Sequence, residues 1–91
     1  MIVKHKVADF GTWKQAFDSM KPIRQSHGWL GHEVLRDAAD TNLVTIINKV
    51  RSIDDAKSYG QSSELKNAMQ TAGVVSAPEI TYLSDEEVYS Y

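Results

Sequence analysis

The chain opens on an alternation of apolar and polar residues that gives way, within a few positions, to spacings of three and four. Val3, His5 and Val7 fall on one side of the first segment, and Lys4 and Lys6 on the other. From Phe10 onward the large apolar residues are Phe10, Trp13, Phe17 and Met20. A period of two marks a strand with one buried face, and a period near 3.6 marks an amphipathic helix. A strand therefore feeds directly into a helix, and the one polar residue on the strand's apolar side is a histidine. His5 is the first residue that needs a chemical explanation.

The helix has cap candidates on both sides of Gly11, at Asp9 and Thr12, and is expected to reach about Ser26, with His27 and Gly28 as its stop. Pro22 should kink or break it, because proline lacks the N–H and crowds the preceding turn. A short strand follows from Leu30 to Arg36, with Leu30, His32 and Val34 on one side. Asp37 to Asn42 is a polar connection of hairpin length. Leu43 to Val50 is apolar on both faces and rich in β-branched residues, which predicts a central strand. Ser52 with Asp54 and Asp55 is a helix-start signature. That helix should break at Gly60, recap at Ser62 or Ser63, and stop at Gly73. A last strand is expected from Glu79 to Leu83.

The order β-α-β-β-α-β is the split βαβ arrangement, an α+β ferredoxin-like fold with a four-stranded antiparallel sheet and the helices on one face. Its usual strand order is 4-1-3-2. Residues 1–84 form one domain and 85–91 an acidic tail. On the uncovered face Leu43 and Ile47 would stand in water beside Lys4, Lys6 and Lys49. A homodimer packed sheet to sheet, with those lysines meeting acids such as Glu33 of the second copy, is the simplest cover.

Composition removes several classes of function. A net charge of −2 lacks the basic footprint of a nucleic-acid partner. With no cysteine there is no disulfide framework, thiolate metal site or cysteine nucleophile. No apolar run approaches the roughly 20 residues needed to cross a bilayer, and Lys4, His5 and Lys6 interrupt any leader-like start. The expected setting is cytoplasmic, with no membrane partner. No phosphate loop, paired-carboxylate or serine-triad pattern is present.

The run His5-Lys6-Val7-Ala8-Asp9-Phe10, followed by Trp13-Lys14 and Phe17-Asp18, resembles the opening of the small dimeric α/β-barrel proteins of the antibiotic-biosynthesis-monooxygenase-like superfamily. Gly31, Val34-Leu35-Arg36, the Asp40 to Asn42 turn, Ser63-Glu64-Leu65 and Ala68-Met69 fit the same pattern. The resemblance implies a pocket inside each monomer, between the sheet and the helices. It also implies a small aromatic or lipophilic ligand and chemistry of a cofactor-free kind, such as a monooxygenase, isomerase or cyclase. The family hosts unrelated activities, so it does not choose among them. Haem-degrading relatives carry a tryptophan at the end of the third strand, where this chain has Val50. They also carry an asparagine on the first strand and a histidine on the second helix, which this chain lacks.

By strand parity His5 and Asn48 are the polar residues facing this pocket. His5 is the candidate general base, against the alternative of a neutral core histidine. Asn48 is the candidate for orienting a substrate oxygen, against a role in a structural network. Trp13, Phe17, His32, Tyr59, Met69 and Tyr82 are the candidate substrate-binding residues, with ordinary packing as the competing reading for each. A joint metal site at His5 and His32 is disfavoured because a whole strand separates them. No metal and no organic cofactor is expected. The competing function is a non-enzymatic ligand-binding or dimerisation module. A cavity of about 300 Å³ or more would favour the ligand site.

Overall fold

The computed structural model describes all residues, Met1–Tyr91. Its elements are β1 (Ile2–Lys6), α1 (Phe10–Ser19), α2 (Lys21–Ser26), β2 (Trp29–Arg36), β3 (Leu43–Val50), α3 (Ile53–Gly60), α4 (Ser63–Thr71) and β4 (Glu79–Thr81). The strands form one antiparallel sheet in the order β2-β3-β1-β4, which is the expected 4-1-3-2 arrangement.

Local chemistry sets each boundary. The Asp9 carboxylate accepts from the Thr12 amide and hydroxyl, both at 2.9 Å, and opens α1. The expected single helix from Asp9 to Ser26 is two helices broken at Met20. Pro22 lies in the first turn of α2, where a missing N–H costs nothing. The break thus precedes the proline, which starts the second helix. Ser52 accepts from the Asp55 amide at 3.1 Å and Ser62 from that of Leu65 at 3.2 Å, capping α3 and α4. Gly73 ends the helical segment with a φ of 81°, a conformation that a side chain would strain.

Two strands differ from expectation. β4 is three residues long rather than five, because its one neighbour, β1, has no partner beyond Ile2 opposite Thr81. β2 begins at Trp29 and carries a bulge: Trp29 lies opposite Val50 but Gly31 lies opposite Lys49. The extra residue is Leu30, which is exposed. It does not share a face with His32 and Val34, because a bulge shifts side-chain parity by one.

The parity of the central strands holds. Val3, His5 and Val7 of the first segment and Val44, Ile46 and Asn48 of β3 are all buried on the helix side. With Trp13, Trp29, Ala56 and Tyr59 they make a core between sheet and helices. The opposite face carries Ile2 beside Ile47 and Lys6 beside Leu43, with Glu33 across from Ile47. Ile47 and Leu35 are about two-fifths exposed there. Lys6 reaches Asp40 of its own chain at 3.1 Å. No helix is long and apolar enough to cross a membrane.

Candidate active-site cavity

A cavity of about 70 Å³ lies between the sheet and the helices. Its floor is Val3 and His5 of β1 with Ile46 and Asn48 of β3. Its walls are Trp13 and Phe17 of α1, Arg24 of α2, Trp29 of β2, Tyr59 of α3, and Leu65 and Met69 of α4. Nearly every lining residue is apolar, so the few polar atoms decide its chemistry. A wider groove of about 400 Å³ runs between the turn after α3 and the edge of β4. It is lined by Gln61, Lys66, Gln70 and Pro78 among others and holds no buried titratable group.

His5 is 4% exposed, and neither Nδ1 nor Nε2 has a hydrogen-bond partner within the chain. Each buried polar atom left bare costs about 1–3 kcal/mol. Burial holds the imidazole's pKa below its ordinary value, so the ring is neutral at pH 7 and has a lone pair to accept a proton. Its ring meets Trp13 edge-on at 5.7 Å, and Trp13 stacks on Phe17 at 4.8 Å.

Asn48 is buried to a similar depth but is occupied. Its Oδ1 accepts from the Trp29 indole at 2.9 Å, and its amide donates to the carbonyls of Met1 and Ile46 at 3.3 and 3.4 Å. The bond from Trp29 and the two carbonyl contacts make Asn48 a link in a structural network, with one lone pair of Oδ1 left over.

Trp13, Phe17, Tyr59 and Met69 line the cavity, and two other candidates do not. His32 is exposed and meets the Phe17 ring edge-on at 4.9 Å, which puts it at the rim. Tyr82 packs its hydroxyl against Gly60, where a Cβ would collide with it. It follows the short β4, next to β1, and packs against the core without entering the cavity lining. His5 and His32 stay apart with β3 between their strands. No cluster of three or more His, Cys, Asp or Glu residues has metal-binding geometry.

Two cavity residues escape a reading of the sequence by pattern. Trp29 turns inward only because of the bulge at Leu30. Arg24 continues the Phe10, Trp13, Phe17, Met20 spacing by four more residues, and that continuation was the available signal. Such a stripe ordinarily ends where a charged residue appears. Here the guanidinium carbon lies over the Phe17 ring, 3.7 Å from its centroid, and Nη1 donates to the Phe17 carbonyl at 2.6 Å.

No protein-family model matches the sequence, and no curated protein does. Solved structures do. A Caulobacter crescentus protein provisionally assigned as an antibiotic biosynthesis monooxygenase superposes with a TM-score of 0.72 at 21% identity, covering 94% of this chain and 87% of its own. A similarly assigned protein of Bordetella bronchiseptica reaches 0.76 at 12% identity, covering 94% of both chains. SnoaB, a cofactor-independent oxygenase of Streptomyces nogalater, reaches 0.68 at 12% identity, covering 93% of this chain and 91% of its own. This chain has the antibiotic-biosynthesis-monooxygenase-like fold. At such identities the likeness extends to the backbone and not to the reaction.

Proposed function

We propose that this chain is a homodimeric small-molecule-binding protein whose cavity works as a cofactor-free active site for a small aromatic or lipophilic substrate. One observation carries the reading: a neutral imidazole, 4% exposed and with both nitrogens bare, in an otherwise apolar cavity. His5 would accept a proton from an activated C–H or O–H of the substrate, giving the substrate anion and an imidazolium. Trp13 and Phe17 shape the wall, and Asn48 acts indirectly by fixing Trp29. SnoaB's description as a cofactor-independent oxygenase on this fold supports chemistry of this kind.

The test is deuterium exchange at the acidic C–H of small lactones and 1,3-diketones, chosen from those that raise the melting temperature. General-base catalysis is typically worth about 10²–10⁴-fold, so His5→Leu should lower the exchange rate by at least about 100-fold. An unchanged rate removes His5 from the chemistry.

The dimer rests on the outer sheet face, where Leu35 and Ile47 are exposed and Ile2 and Leu43 half-buried. Sedimentation equilibrium should return a dimer, and Ile47→Lys should weaken association about tenfold or more. A wild-type monomer at tens of micromolar would end this part of the reading.

The cavity's volume favours a second reading, a non-enzymatic ligand-binding or dimerisation module. About 70 Å³ is well below the roughly 300 Å³ at which small-molecule sites begin. Binding without exchange in any of these probes would select it.

A further inference from the structure

We propose that Arg24 makes the cavity an anion site, so that the ligand carries a carboxylate or a similar planar oxyanion on a small apolar body. The inference rests on the reading that the cavity binds a small molecule and adds the class of ligand.

Arg24 is 6% exposed, and its Nη2 is buried with no hydrogen-bond partner. The contact between Nη1 and the Phe17 carbonyl uses one donor of a group that has five. The charge also has no ion-pair partner. Asp18 is the acid whose field reaches the guanidinium, and Lys14 already holds both of its oxygens, at 2.6 and 2.7 Å. No carboxylate of this chain forms an ion pair with Arg24.

A guanidinium keeps its proton even when desolvated, so burial cannot be relieved by neutralisation. A buried charge is tolerated when something opposite and hydrogen-bonding reaches it. The other polar groups of the cavity do not fill that role. His5 is neutral at pH 7, the Tyr59 phenol is held protonated by burial, and Asn48 is engaged with Trp29. An oxyanion from outside would satisfy Nη2 with the charge-assisted geometry that arginine forms best. The same guanidinium would also favour the anion that His5 creates by taking a proton.

The cavity's size fixes the probes. Isobutyrate and benzoate carry the anion on a branched chain or a single ring, and isobutyramide and benzamide have nearly the same shape without the charge. At constant ionic strength, the carboxylates should raise the melting temperature saturably, with affinities at least tenfold above those of the amides. Arg24→Gln should erase the difference and leave amide binding in place. Equal binding of acid and amide would overturn the anion assignment and leave the cavity reading standing. Binding of neither probe would overturn both. If Arg24→Gln does not fold, the wild-type Nε–Hε NMR signal of Arg24 decides. It should shift with benzoate and not with benzamide, and an unmoved signal overturns the proposal.

Discussion

Asn48 and His5 stand on neighbouring strands of the same sheet face, and each is at least nine-tenths buried. Asn48 has found the Trp29 indole and two carbonyls, and His5 has found nothing. The difference separates polarity that holds a fold together from polarity left open to a ligand. Buried polar groups are almost always paired, so a pair of bare ring nitrogens is the exception that calls for a partner from outside. Arg24 falls on the same side of this division, since one of its terminal nitrogens is capped and the other is bare.

If the division is right, removing the two residues should have opposite consequences for stability. The larger effect belongs to Asn48. Asn48→Leu leaves the Trp29 N–H buried without an acceptor, and the expected cost is about 2–3 kcal/mol. For a domain of this size that lowers the melting temperature by roughly 8–20 °C. Adding Trp29→Phe removes the orphaned donor, so the double variant should cost less than the two single changes combined. Strict additivity in thermal or urea unfolding would break the comparison.

The smaller effect belongs to His5. His5→Leu exchanges two bare nitrogens for an apolar side chain and should raise stability at pH 7.5, by about 1–2 kcal/mol. Its signature is in the pH dependence. Burial lowers the folded imidazole's pKa, whereas the unfolded one titrates near its ordinary 6.5. Below that pH the unfolded chain takes up a proton that the folded chain refuses. Stability is therefore full above about pH 6.5 and falls below it, by up to about 1.4 kcal/mol per pH unit, until the folded ring also titrates. His5→Leu should flatten that slope. His32, lowered first by desolvation and then by the charges of Arg24 and Lys14, adds a slope in the same window. The informative quantity is thus the difference between wild type and variant. Asp9, Asp40 and Asp55, held low by hydrogen bonds, lose their contributions only at more acidic pH. Parallel pH profiles for the two proteins would mean that His5 is not a buried neutral base.

Much of the fold was legible because its signals are local. The alternation through Val3, His5 and Val7, the three-and-four spacing of Phe10, Trp13 and Phe17, and the Ser52 and Ser62 caps each lie within a few residues of what they specify. The floor of the cavity followed from the same parity. Its polar character did not, because the asparagine and the histidine look alike in an alternating strand. Only the through-space position of an indole from another strand tells them apart.

The amino-acid sequence alone determined which residues of each central strand face inward, where three of the four helices begin, and that a histidine would be enclosed with aromatic residues. Backbone periodicity and capping are short-range properties and can be read one segment at a time. The tertiary structure decided that Trp29 turns inward, that Arg24 is buried without a counter-ion, and that Asn48 is satisfied while His5 is not. A bulge resets side-chain direction without a strong local signature. Whether a polar atom is satisfied depends on which atoms distant segments bring within about 3 Å of it.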